Sequence, residues 1–236
     1  MIDYKVKRNE LKYYISTLEY NSLVYRLKYL LSADTHSVPH QGYFIRSLYF
    51  DSFDDESLES KLSGDIYRAK YRLRIYDINT NIAKFEIKYK ANNQIFKESA
   101  TISKESAKKI ISGDYDELLK YNNSILNKIY IKFNTKYYTP KVIIDYYRDA
   151  FVFDFFDLRI TIDKYLSSNN TNFDIFDKNI HTIPCILQDK YILEIKYNTV
   201  LPQFIQNILQ LDAFERAAIS KYTIGRSLFQ PVYLFE

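Results

Sequence analysis

From Tyr67 to Tyr76 the sequence reads Tyr-Arg-Ala-Lys-Tyr-Arg-Leu-Arg-Ile-Tyr, with a cation at every even position from 68 to 74 and an aromatic or aliphatic residue at nearly every odd one. In a β-strand successive side chains point to opposite faces, so Arg68, Lys70, Arg72 and Arg74 share one face and Tyr67, Ala69, Tyr71, Leu73 and Ile75 the other. A row of guanidinium and ammonium groups is suited to phosphate oxygens, which Arg grips with a planar fork and Lys with a point charge. A single strand of this kind is also what an antiparallel sheet turns to solvent. Repetition argues for more. Glu10 and Lys12, then Lys84, Glu86, Lys88 and Lys90, then Arg159 and Asp163, then Glu194 and Lys196 each fall on one side of a strand-like run whose other side is apolar.

Those residues need a sheet to hold them. Strands are expected at Lys7 to Ile15, Tyr43 to Asp51, Tyr67 to Tyr76, Ile82 to Tyr89, Ile95 to Ile102, Pro140 to Tyr147, Leu158 to Lys164 and Tyr191 to Tyr197, with Asn92-Asn93 as a hairpin-like turn. Lys97 takes the face opposite Phe96 and Glu98, and Arg148 falls on the face of Val142, Ile144 and Tyr146. Amphipathic helices are expected at Thr17 to Leu31, Asp54 to Ser63, Lys104 to Ile111 with Ser103 as N-cap, Tyr115 to Ile131, and Gln203 to Arg216 after Pro202. His36 and His40 fall in a loop, Ser167 to Asn172 reads as a polar loop, and Ala218 to Arg226 is a final short motif.

Composition narrows the class. A chain of 236 residues with 47% apolar residues, 17% Phe and Tyr, 4 Gly and 5 Pro fits one strand-rich domain spanning 1–236, without flexible linkers. Lys and Arg total 33 against 29 Asp and Glu, so any anion site must come from local arrangement, and a general nucleic-acid binder is not expected. Cys185 is the only cysteine, which excludes an internal disulfide and a thiolate metal cluster. With no apolar leader and no apolar run near the ~20 residues that span a bilayer, a cytoplasmic protein is expected.

An antiparallel sheet of about eight strands can close into a barrel. With charges outward, the amphipathic helices would have nothing to cover. With charges inward, the apolar outer wall needs those helices, and the interior becomes a tunnel lined by Arg, Lys and Glu. So many like charges would then require a polyanionic ligand, with carboxylates to hold a divalent cation bridging its phosphates. The expected fold class is therefore α+β: an antiparallel tunnel barrel with a charged interior and helices outside.

The run Arg8-Asn-Glu10-Leu-Lys12-Tyr13 resembles the opening motif of the VTC domain, the polyphosphate polymerase domain of the triphosphate tunnel metalloenzyme superfamily. Further resemblances follow in order at Ile45 to Asp51, Lys70 to Tyr76, Phe85 to Lys88, Lys97-Glu-Ser, Asp145 to Phe151, Leu158 to Asp163, Leu193 to Tyr197 and Ser220-Lys221-Tyr222. The resemblance implies phosphoryl transfer from a nucleoside triphosphate to a polyphosphate chain, assisted by Mn²⁺ or Mg²⁺. Carried over by position, the polyphosphate-binding set is Lys12, Arg72, Arg74, Lys88, Lys97, Arg148, Arg159, Lys196, Ser220 and Lys221. Of these, Arg72, Arg74, Lys88, Arg148 and Lys221 would act in transfer, with Glu194 and Glu10 as metal carboxylates.

Eukaryotic relatives that polymerise carry a further basic residue just ahead of the Ser-Lys pair, where this chain has Ala218, and they work beside membrane domains, which leaves a membrane-protein partner open. Triphosphatase relatives carry Glu-x-Glu in the first strand, where this chain has Glu10 and Lys12. Two other functions stay open at this point: a non-catalytic polyphosphate-binding module and a triphosphate hydrolase.

Overall fold

The computed structural model describes residues 9–34, 42–92, 94–153, 157–198, 200–210, 214 and 216–230. Lys7, Arg8, His36, His40 and Asn93 lie outside them. The strands are β1 (Asn9–Ser16), β2 (Ser32–Ala33), β3 (Tyr43–Asp51), β4 (Tyr67–Ile75), β5 (Ile82–Ala91), β6 (Gln94–Ser103), β7 (Thr139–Phe153), β8 (Leu158–Asn169), β9 (Ile183–Pro184) and β10 (Lys190–Tyr197). The helices are α1 (Thr17–Leu30), α2 (Glu56–Leu62), α3 (Lys104–Ile111), α4 (Ser124–Lys136), α5 (Gln203–Leu209) and α6 (Lys221–Ser227), with a 3₁₀ helix at Tyr115–Tyr121. The main strands follow the hydrogen-bonded order β1-β10-β8-β7-β3-β4-β5-β6, so β1 and β6 end the path. This is the α+β antiparallel architecture expected from the sequence, with eight strands on the main path.

The chain divides into two compact units: residues 1–45, 145–166 and 186–219, and residues 46–144, 167–185 and 220–236. In the first, β1 pairs antiparallel with β10 and β10 with β8. Tyr13, Ile15, Leu158, Ile160, Ile162, Leu193 and Ile195 share one face, and α1 and α5 cover it with Leu23, Leu27, Ile205 and Leu209. α1 starts where it does because Ser16 and Glu19 form a reciprocal capping box, satisfying backbone N–H groups that the first turn leaves without partners.

In the second unit β3, β4, β5 and β6 pair in sequence. Leu48, Phe50, Tyr71, Leu73, Phe85 and Ile87 form the covered face, packed under α3 and α4 by Ala107, Ile110, Leu126, Ile129 and Phe133. Phe133 stacks on Tyr138 at 4.8 Å and meets Tyr71, Phe85 and Tyr115 edge-on, which makes α4 the main cover of this face.

Several elements depart from the sequence reading. The expected helix from Tyr115 to Ile131 is broken, because Asn122 adopts a left-handed backbone (φ 44°) and Asn123 then caps α4 by accepting from the N–H groups of Ile125 and Leu126. α5 stops at Leu209, where Gln210 turns left-handed at φ 51°. β8 runs on through Ser167, Ser168 and Asn169, which pair in part with β9, so this stretch is strand where a polar loop was expected. The Ala218 to Arg226 motif contains a helix, α6.

Candidate anion-binding faces

In the second unit the β4 cations lie opposite the helix-covered face, as alternation requires. Cross-strand register sets Arg72 beside Tyr49 and Glu86, and Arg74 beside Ser47 and Lys84. Arg72 reaches Glu86 Oε2 with Nε and Nη2, each at 2.7 Å, and donates through Nη1 to the Tyr49 hydroxyl at 3.0 Å. Arg74 donates to Ser47 Oγ at 3.0 Å and lies 3.6 Å from the same Glu86 oxygen, while Lys97 holds Glu86 Oε1 at 2.5 Å. Glu86 is 1% exposed. Burial pushes its carboxyl upward, but Arg72, Arg74 and Lys97 outweigh burial and hold it well below the usual carboxylate range. Among site residues, Glu86 was missed by sequence reasoning. Its alternation with Lys84 and Lys88 was visible, but nothing in that spacing showed that three cations from two other strands meet there.

Ser220 and Lys221 enter this unit through α6. Tyr222 stacks on Tyr49 with centroids 5.2 Å apart, and its hydroxyl donates to Asp51 Oδ2 at 2.5 Å. Asp51 also accepts from the backbone N–H groups of Ser57 and Leu58 at the start of α2. Arg226 grips Asp55 through Nη1 and Nη2 at 3.0 and 2.6 Å. Ser220 caps α6 and accepts from Lys70 Nζ at 2.6 Å. Burial pushes the Tyr49 hydroxyl up, but Arg72 and Arg74, with a smaller contribution from Lys221, pull it below its ordinary range. α6 can sit this close because of Gly225: a Cβ there would lie 2.1 Å from Ile144 Cδ1.

The first unit carries the other candidates. Glu10 lies opposite Lys196 and Lys12 opposite Glu194, all on the face turned away from α1 and α5. Lys12 Nζ is 2.8 Å from Glu10 Oε1 and 4.0 Å from Glu194 Oε1, and it donates to the Ile219 carbonyl at 3.2 Å. Lys196 meets Glu194 Oε1 at 3.1 Å. Arg148 forms a bidentate pair with buried Asp163, at 2.6 and 2.8 Å, and reaches Glu194 Oε2 at 3.6 Å. Arg159 lies directly opposite Lys196 on the neighbouring strand, and its guanidinium is held by Asp34 at 2.6 Å and the Tyr43 hydroxyl at 3.2 Å. Burial and Arg148 lower the Lys196 ammonium more than Glu194 and Glu10 raise it, whereas in Lys12 the two carboxylates outweigh burial and raise it.

The sequence-derived set is thus divided between the units. Lys12, Arg148, Arg159 and Lys196 stand with Glu10 and Glu194 in the first, and Arg72, Arg74, Lys88, Lys97, Ser220 and Lys221 in the second. Among the described residues no group of three or more His, Cys, Asp or Glu is arranged to hold a metal. Glu10 and Glu194, on one face of adjacent strands, match the one or two carboxylates that Mg²⁺ or Mn²⁺ takes when phosphate oxygens complete its shell. A cation there would take the place of Lys12 and Lys196 against those oxygens.

A search of curated protein sequences returns no match. Among solved structures the chain is similar to a candidate adenylyl cyclase from Hippeastrum with a dominant triphosphatase activity, at 12% identity and a TM-score of 0.57, covering 94% of this chain and 95% of that one. It is also similar to a candidate adenylate cyclase from Bacillus halodurans, at 14% identity and a TM-score of 0.52, covering 92% and 94%. At these identities the likeness shows the fold. The model of the VTC domain matches residues 7–230, nearly the whole sequence, and by that match this chain belongs to the VTC domain family.

Proposed function

We propose that this protein is a polyphosphate polymerase. The terminal oxyanion of a polyphosphate chain attacks the γ-phosphorus of a nucleoside triphosphate, one P–O bond forms as the bond to the leaving nucleoside diphosphate breaks, and no covalent enzyme intermediate arises. The observation that carries the reading is the convergence of Arg72, Arg74 and Lys97 on one buried carboxylate, Glu86, on a face that also carries Lys70, Lys84 and Lys88. Such forks are preset for phosphoryl oxygens, and prepositioned charge is the main means by which phosphoryl transfer is accelerated.

In this reading Arg72, Arg74, Lys88, Arg148 and Lys221 bear on the transferring group, while Lys12, Lys97, Arg159, Lys196 and Ser220 bind phosphates along the chain. Glu194 and Glu10 would hold Mn²⁺ or Mg²⁺, which when bound supplies charge neutralisation at the phosphoryl oxygens. The VTC family match supports polymerisation. Similarity to the Hippeastrum protein favours a second reading, triphosphate hydrolysis.

Incubation with ATP, Mn²⁺ or Mg²⁺ and a pyrophosphate primer, followed by a gel stained for polyphosphate and an assay of free orthophosphate, separates these. A ladder is expected. Orthophosphate without a ladder would establish the hydrolase, and binding of polyphosphate without turnover would make the protein a binding module.

A further inference from the structure

α1 carries two apolar stripes, and the first unit's core uses one of them. Leu23 and Leu27 are fully buried against the sheet. At about 100° per residue, Leu18, Ser22, Tyr25 and Tyr29 fall on the opposite side of the helix, within about 60° of one another. Leu18 is 82% exposed, Tyr25 66% and Tyr29 74%, and Ser22 is exposed as well. The Tyr25 and Tyr29 rings meet edge to face at 5.1 Å, so the outer stripe is a continuous surface. Single apolar side chains scattered over a surface are ordinary. A row spaced four, three and four residues apart is the seam along which two helices pack.

The outer stripe is complementary to itself when two copies run antiparallel. About a two-fold axis midway between Ser22 and Tyr25, Ser22 faces the partner's Tyr25 and Leu18 faces the partner's Tyr29. Each layer then joins a smaller side chain to a larger one, as close packing requires. A two-fold axis perpendicular to both helices also sets each flank of the stripe against the same flank of the partner. One flank holds Glu19 and Arg26, so Glu19 of each copy comes beside the partner's Arg26, and two pairs of opposite charge border the seam. The other flank sets Lys28 beside the partner's Asn21. Within its own chain Glu19 uses Oε2 for the Ser16 cap, and Arg26 uses Nε on the Ser22 carbonyl, which leaves Oε1 and the two Nη groups for the partner. A parallel pair would set Ser22 against Ser22 and Tyr25 against Tyr25, leaving a gap at one level and crowded rings at the next.

We infer that α1 is a self-association surface, through which two copies of this chain pair antiparallel along Leu18, Ser22, Tyr25 and Tyr29. At 14 residues α1 is about 21 Å long. One helix pair of that length falls short of the ~1,200 Å² that a stable interface buries, so a dimer that dissociates on dilution is expected. The seam uses none of the residues on the anion-binding faces, so association stands apart from the proposed phosphoryl transfer.

Sedimentation velocity of the full chain, from low micromolar to near-millimolar concentration, is expected to show a reversible equilibrium between monomer and dimer. Tyr25→Ser/Tyr29→Ser should raise the dimer Kd about tenfold or more. Arg26→Glu should weaken the dimer by facing the partner's Glu19, while Arg26→Lys, which keeps the charge, should stay near the parent. Far-ultraviolet circular dichroism checks that each variant is folded. Register is read from oxidative cross-linking in a Cys185→Ser background. Leu18→Cys/Tyr29→Cys should give a covalent dimer and neither single variant should, because like positions lie about 16 Å apart along the paired helices, beyond the ~7 Å between Cα atoms that a disulfide spans. A chain that stays monomeric at every concentration would overturn the second copy as occupant and leave the stripe to a helix of another protein. A dimer unaffected by the Tyr25 and Tyr29 changes would put association on another face. Covalent dimer from a single cysteine variant, or none from the double one, would overturn the antiparallel seam.

Discussion

Arg72 and Glu86 lie directly opposite each other on β4 and β5, and the guanidinium meets Oε2 of the carboxylate through both Nε and Nη2 at 2.7 Å. Arg74 and Lys97 approach the same carboxylate. One buried negative charge thereby keeps three cations together when no anionic ligand is present.

Replacing Glu86 with Gln should therefore destabilise the protein by about 3–5 kcal/mol, because three cations lose the charge that offsets their repulsion. Because the folded carboxyl lies below its ordinary value of 4.5, its stabilisation is complete above that value and is lost as pH falls through the lower, folded one. Thermal melts from about pH 6 to about pH 2 should show the parent losing stability at the acid end and Glu86→Gln losing less. Added tripolyphosphate should recover more stability in Glu86→Gln than in the parent. Superimposable melts of the two proteins at every pH would refute the role given to Glu86.

Arg72→Ala and Arg74→Ala should each weaken tripolyphosphate binding by about 1–3 kcal/mol, as expected when a charge-assisted hydrogen bond is removed. Tyr71, next to Arg72 in sequence, points the other way and packs 5.0 Å from Tyr138 and 5.6 Å from Phe133. Tyr71→Ala should lower stability by about 3–5 kcal/mol while the folded fraction binds with near-parent affinity. Calorimetric titration with denaturant melts on the three variants would reveal any interchange of the two effects.

Glu194 is held by Lys196 at 3.1 Å, Arg148 at 3.6 Å and Lys12 at 4.0 Å. If it also holds the metal, Glu194→Gln should keep or tighten metal-free polyphosphate binding, since a negative charge leaves the face, while turnover with Mn²⁺ falls by about two orders of magnitude or more. A side-by-side metal titration decides the matter. A near-parent rate at an unshifted half-saturating metal concentration would reduce Glu194 to an ion-pair partner.

Gly225 lets α6 approach Ile144, and a Cβ at 225 would stand 2.1 Å from Ile144 Cδ1. Gly225→Ala should destabilise by about 1–3 kcal/mol through overpacking. Adding Ile144→Val, which removes that methyl group, should recover part of the loss. If the double variant is no more stable than Gly225→Ala, α6 is not positioned by this contact.

Much of the sheet was legible because period-two alternation is a local property. Arg72 and Tyr71 had to fall on opposite faces once β4 formed, and the Leu23 and Leu27 spacing in α1 asked for an apolar face to cover. The breaks at Asn122 and Gln210 were not legible, since both lie in helix-compatible stretches and turn left-handed only in their tertiary setting. Nor could sequence show α6 as a helix: seven residues are too few to be stable alone, and it is held by the Tyr222 to Asp51 hydrogen bond and the Arg226 to Asp55 pair.

What the sequence by itself determined is which side chains share a face, and with it the cationic character of β4, β5 and β10 and the family to which the chain belongs. Only the tertiary structure decided which of those charges meet. Strand register, which depends on pairings between segments far apart in the chain, brought Arg72, Arg74 and Lys97 to Glu86, placed Glu194 among Lys12, Arg148 and Lys196, and set Arg159 opposite Lys196. A one-residue slip in any pairing would turn those side chains to the apolar face, so the hydrophobic core under the helices is what holds the charged faces in register.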